Sequence, residues 1–193
     1  MDIQHVNVKI YSSTPQNVSL DEAILEFHRW IREEAAPELL IDVADYSHVP
    51  AGPGVLLIGH DACYSLEAGE EERKGVLFNA KTGRDGSNVD QLVNAMRSAV
   101  KAAGILEGES LFTKKVEFDA GDLMILINDR ALAPNTPETF AALKDDLEVA
   151  LKTVLGARGF ELSYEQGAPR RRFQVQIRAE SPIAVSDLAA TAG

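Results

Sequence analysis

VNVKIYS (6–12), LDEAILEFHRWIREEA (20–35), LLIDVADY (39–46) and GVLLIGH (54–60) spell out a strand, a helix and two further strands in that order. In the first segment Val6, Val8 and Ile10 alternate with Asn7, Lys9 and Tyr11, the period of two that gives a strand one apolar and one wet face. In the second, Leu20, Ile24, Phe27 and Ile31 recur at helical spacing, and Ser19 with Glu22 has the spacing of a capping box. The same order returns in DLMILIND (122–129), PETFAALKDDLEVALKTVLG (137–156), FELSYEQ (160–166) and RFQVQIR (172–178). The spans 6–60 and 122–178 therefore read as two pseudo-repeated βαββ units sharing one core, alike in pattern and spacing with little residue identity.

Residues 61–121 join the units. Cys63 to Glu67 and Gly75 to Asn79 suit a hairpin across the acidic stretch AGEEERK. A helix follows, capped by Ser87 with Asp90 and carrying Val89, Leu92, Val93, Met96, Val100 and Ala103 on one stripe, with Gly104 and Gly108 punctuating its end. The segment DAGD (119–122) reads as a hairpin turn between TKKVEF and LMILIN. Thr136 and Pro137 open the third helix, and Gly156 stops it. Leu123 to Ile127 and Val55 to Ile58 are apolar on both faces, which predicts central strands covered on both sides.

Each strand-helix-strand passage favours parallel strands and each short turn an antiparallel pair. The predicted fold is thus one α/β domain of the α+β type over residues 1–179: a mixed, largely antiparallel sheet with three main helices. Its expected core includes Val8, Phe27, Ile41, Leu57, Met96, Ile125, Leu147 and Val175. Residues 180–193, small and weakly periodic, read as a flexible C-terminal tail, or one whose Ile183, Val185 and Leu188 dock on a partner.

Thirty acidic and 19 basic residues give a net charge of −11, which disfavours nucleic acid and anionic membrane surfaces as partners. A single cysteine, Cys63, excludes an internal disulfide and thiolate-rich zinc sites. MDIQHVNVKI has no basic region followed by an apolar run, so a signal peptide is not expected and the location is expected to be cytoplasmic.

Candidate sites fall in three places. KTGRDGSN (81–88) leads from a strand into a helix, where Lys81, Gly83, Arg84, Gly86 and Ser87 suit an anion held by backbone N–H groups. Asn128, Asp129 and Arg130 crowd polar groups at a strand end, a usual ligand position in sheets of this kind. Asp45, His48, His60 and Asp61 carry ligand atoms for a divalent metal, but one strand length separates the two pairs, too far for one coordination sphere. No cofactor is expected. The Arg170–Arg172 run borders a strand opposite, in the repeat, the Ser47–Pro53 turn with Asp45 and His48 nearby, so the two hairpins offer charges of opposite sign. Without a nucleophile or phosphate fingerprint, two readings stand: a non-catalytic module that binds a protein partner or itself as a homo-dimer, and a binder of a small anion or phosphate, or an enzyme, using a cleft between the repeats.

Overall fold

A computed structural model describes residues 1–193 except 70–71, 84, 109, 165, 168–170 and 190–193. Eight strands form one sheet: β1 (Val6–Ser12), β2 (Leu40–Tyr46), β3 (Gly54–Gly59), β4 (Ala62–Glu67), β5 (Gly75–Ala80), β6 (Phe118–Ile127), β7 (Phe160–Ser163) and β8 (Phe173–Ala179). The helices are α1 (Leu20–Glu33), α2 (Asn88–Glu107), α3 (Pro137–Leu155) and a short α4 (Val185–Ala189). Strand order across the sheet is β2-β3-β4-β5-β1-β6-β8-β7.

All seven ladders are antiparallel. Following their directions across the sheet, β1 and β2 run the same way, as do β6 and β7, in keeping with the helical crossover that joins each pair. They are not neighbours, however. The chain goes outward through a helix and returns by an antiparallel meander, through β2 to β5 in one half and β7 to β8 in the other. β1 and β6 pair with each other at the centre, and their outer neighbours are consequently β5 and β8.

The helix caps form as their side chains dictate. Ser19 and Thr136 accept from the backbone N–H groups of Glu22 and Thr139, at 3.3 Å each. Ser87 and Asp90 complete a reciprocal capping box. Gly156 closes α3 at φ +71°, a conformation that L side chains rarely adopt.

The main core lies between the helices and one sheet face, where Val8, Ile10, Leu57, Val76, Ile125, Val175 and Ile177 meet Phe27, Trp30, Leu92, Met96, Leu143 and Leu147. Trp30 is fully buried, and its indole N–H donates to the buried Glu26 carboxylate at 2.8 Å. Ile41 departs from the expected core: it is 54% exposed. A register shift between Leu40 and Asp42 puts it on an irregular edge, and Leu40 is buried instead.

Two further expectations are corrected. DAGD does not turn a hairpin. β6 runs through it, with Ala120, Gly121 and Asp122 bulged out between the partners of Ile10 and Tyr11. That bulge holds the C-terminal segment, because Ala120 N–H donates to the Ile183 carbonyl and Ile183 N–H donates to Asp119 Oδ1, both at 2.9 Å. The described part of the tail is therefore docked on its own domain. Ile183, Val185 and Leu188 are buried in the main core, since apolar burial against the bulge and α2 offsets the cost of ordering them.

Candidate functional site

The opposite sheet face carries the residues that alternate with those core residues along each strand. In register across it stand Asn79, Asn7, Leu126 and Gln174, then Leu77, Lys9, Met124 and Gln176, then Glu67, Gly75 and Tyr11. Tyr11, Leu77, Met124 and Leu126 form a second, small apolar cluster made of strand residues alone. The two-sided cover expected for β6 is thus helical on one side only, among the described residues.

One half of this face is filled by its own polar side chains. Tyr11 Oη donates to Gln176 Oε1 at 3.2 Å, and Gln176 Nε2 donates to Asp122 Oδ1 at 2.9 Å. Arg73 pairs with Asp122 at 2.6 Å and lies over the Tyr11 ring at 3.6 Å. The other half holds a groove of about 550 Å³. Its floor is Leu77, Met124 and Leu126; one end has Lys9, Glu67, Ala68 and Gly69, and the other has Asn128, Arg130, Arg171 and Arg172.

Lys9 is an aliphatic-stemmed cation on a central strand, only 1% exposed. Its ammonium meets Glu67 Oε1 at 2.7 Å, donates to the Ala68 carbonyl at 3.1 Å and stands 5.3 Å from the centre of the Tyr11 ring. These contacts answer the desolvation that an unpaired buried charge would suffer. Glu67 is the less buried member, with its side chain 11% exposed on the groove wall. At the far end Arg172 donates to Asn128 Oδ1 at 3.3 Å, joining the β8 start to the β6 end. Two residues from Lys9 on the same face, Asn7 is fully buried, and its side-chain amide atoms have no hydrogen-bond partner among the described residues.

The sequence candidates divide between this groove and other places. Asn128 and Arg130 line it. Asp129 does not; its carboxylate turns the loop by accepting from Ala131 and Leu132 N–H at 3.0 and 3.2 Å. The loop before α2 lies outside the groove. Lys81 Nζ donates to the Gly59 carbonyl at 2.8 Å, Gly83 packs by Gln4, Gly86 takes φ +129° and Ser87 is occupied by its capping box. Arg84 and Arg170 lie outside the described residues.

The Asp45/His48 and His60/Asp61 pairs sit at opposite ends of β3. His60 Nε2 is 3.9 Å from Asp61 Oδ1, with both side chains exposed. Asp45 accepts from Ser47 N–H at 2.8 Å, and its hydrogen bonds to Ser47 hold its carboxyl below the usual range, with His48 adding a smaller effect. Among the described residues no three His, Cys, Asp or Glu side chains gather as a metal-binding group. Cys63 is buried while His60 is exposed, so the two do not form a thiol–imidazole pair.

The two hairpin turns, by contrast, approach one groove: Ala51 enters it from the β2–β3 turn and Arg171 and Arg172 from the β7–β8 turn. Lys9, Glu67, Gly69 and Gln174 escaped the sequence reading because alternation says only which face is wet. The available signal was Lys9 itself, a lysine within the strand whose pattern opens the fold. No helix among the described residues is long and apolar enough to cross a membrane. Comparison with known proteins finds no family that the chain matches, no matching curated relative and no matching solved structure.

Proposed function

We propose that this protein binds a small organic anion, a carboxylate or phosphate, in the groove on the helix-free face of its sheet. The carrying observation is charge placed against type. Lys9, Arg130, Arg171 and Arg172 line the groove with Glu67 as the one acidic lining residue described, in a chain whose net charge is −11. Guanidinium groups match carboxylate and phosphate oxygens in a planar, bidentate way, and a concave wall with apolar floor strengthens that attraction by excluding water. The floor of Leu77, Met124 and Leu126 suits an apolar body joined to the anionic group. The unpaired amide of Asn7 nearby adds support, since such groups cost about 1–3 kcal/mol and concentrate where something else completes them.

The test is a thermal-shift panel of organic carboxylates and phosphates on the native chain and on Arg171→Ser/Arg172→Ser, at low and high salt. A ligand at a hundred times its Kd stabilises by about 2.7 kcal/mol. The expected result is a clear shift with native protein that salt weakens and the double variant loses, while its unliganded stability stays within about 0.5 kcal/mol. A panel without any shift, or a shift the variant keeps, overturns the proposal.

Self-association as a homo-dimer is the second reading, favoured by exposed Leu39, Ile41, Tyr46 and Val49 along the β2 edge. Asp42 and Asp45 on the same edge oppose it, as charges on an edge strand discourage pairing. Light scattering at high concentration decides it, and a strict monomer refutes it.

A further inference from the structure

The geometry points to a ligand with two distinct ends: an anionic group at Arg130, Arg171 and Arg172, and a hydrogen-bond donor, an ammonium or hydroxyl, at Glu67. This rests on the anion-binding reading and specifies the ligand class.

The groove runs diagonally across the sheet. Arg172 and Asn128 stand one residue pair beyond the Gln174–Leu126 row; the Lys9–Met124–Leu77 row and the Glu67–Gly75 row follow. Those three steps of two residues cover roughly 20 Å along the strands, and the path also crosses from β8 to β4. Long side chains reaching in from both ends shorten the free span, but the ends remain separate subsites joined by Leu77, Met124 and Leu126.

The ends differ in chemistry. At the first, three guanidinium groups face the groove. At the second, the Lys9 charge is already matched: Glu67 Oε1 takes its ammonium at 2.7 Å and the Ala68 carbonyl takes a further N–H at 3.1 Å. A second anionic group gains little at a neutralised pair, whereas Glu67 keeps Oε2 on the groove side as an acceptor. Gly69 leaves that oxygen uncovered. It takes φ +65°, and a Cβ there would stand 3.2 Å from Glu67 Oε2 and 3.4 Å from Lys9 Nζ. A side chain at this position would fill the space above the carboxylate. This carboxylate is seated in the groove wall by its lysine and therefore aimed.

The experiment measures binding of matched chains by calorimetry: hexanoate, octanoate and decanoate against their ω-amino and ω-hydroxy counterparts. The proteins are native, Lys9→Met/Glu67→Leu, which removes both charges together, and Arg171→Ser/Arg172→Ser. For the chain length that fits, the ω-amino or ω-hydroxy form is expected to bind native protein about tenfold tighter than the plain carboxylate. In Lys9→Met/Glu67→Leu the preference should reverse, because an apolar end then meets an apolar wall. Binding of plain carboxylates that depends on the arginines, with no gain from the second group, overturns this inference and leaves anion binding standing. A gain that persists without Glu67 also overturns it. Absence of binding by every chain overturns this inference, while the panel of carboxylates and phosphates decides the anion-binding reading separately.

Discussion

Removing one member of the Lys9–Glu67 pair strands the other, and the two strandings differ in cost. Lys9 is 1% exposed and rests on β1, the strand between the two halves of the sheet, so its ammonium is poorly hydrated and leans on its protein partners. In Glu67→Leu it keeps the Ala68 carbonyl and the Tyr11 ring but no opposite charge among the described residues, and breaking a buried pair from this side costs about 3–5 kcal/mol. In Lys9→Met the remaining Glu67 carboxylate borders the groove with 11% of its side chain exposed, so a smaller loss of about 1–3 kcal/mol is expected. The double variant Lys9→Met/Glu67→Leu, with both charges gone and volume kept, should lie within about 1 kcal/mol of native. The cycle thus predicts a coupling of at least about 3 kcal/mol. Trp30 makes the assay direct, being the chain's single tryptophan, fully buried, with edge-on contacts to Phe27 and Tyr64. Urea unfolding followed by its fluorescence should show a midpoint lower by about 1–2 M in Glu67→Leu. A cost under about 1 kcal/mol for that variant, or a double variant as unstable as the two singles summed, refutes the claim that Lys9 is held as a buried partnered charge.

Three other perturbations test the frame that positions the groove. Glu26→Ala removes the acceptor of Trp30 Nε1 and of Leu111 N–H and a partner of Arg29, so the same urea assay should show a loss of about 3–4 kcal/mol; less than 1 would mean the 111–117 segment is not tied to α1. Leu188→Ala should cost about 2 kcal/mol or more, where a loosely held tail would give nearly no change in unfolding midpoint. Burial, with a smaller contribution from Glu117, raises the Glu107 carboxyl, which still accepts from Phe118 N–H at 2.7 Å. The folded state therefore holds this proton more tightly than the unfolded one, and Glu107 costs stability as pH rises from the ordinary carboxylate value through the raised one. Glu107→Gln keeps the acceptor, so its Tm should exceed native at pH 7 and converge with it at low pH; a gap of the same size at both pH values would refute the assignment.

The helices were legible because their signals are local. Ser19, Ser87 and Thr136 each hydrogen-bond within one turn, and Gly156 meets a backbone angle that its own position demands. Strand alternation was equally legible, since a period of two decides which side chains share a face whatever the partner strand is. What alternation leaves open is the partner. The outer neighbours of the central β1–β6 pair are β5 and β8, the last of each meander, because hairpin contacts close short loops and a crossover helix sets only strand direction. DAGD shows the same limit: its residues suit a turn or a bulge, and pairing with β1 on one side and with Ile183 on the other selected the bulge.

The groove lay still further from the sequence. Asn128 and Arg130 are polar residues at a strand end, a property visible in one dimension. Lys9, Glu67, Gly69 and Arg172 come from four separate stretches, and nothing in any one of them announces the others. Their meeting depends on sheet order and register, which place Lys9 beside Leu77 and Met124 and set Glu67 one row away. Local chemistry along the chain determines elements and faces. Which side chains then share a cavity is a non-local choice, made by the hydrogen-bond ladders and the apolar burial that holds them in register.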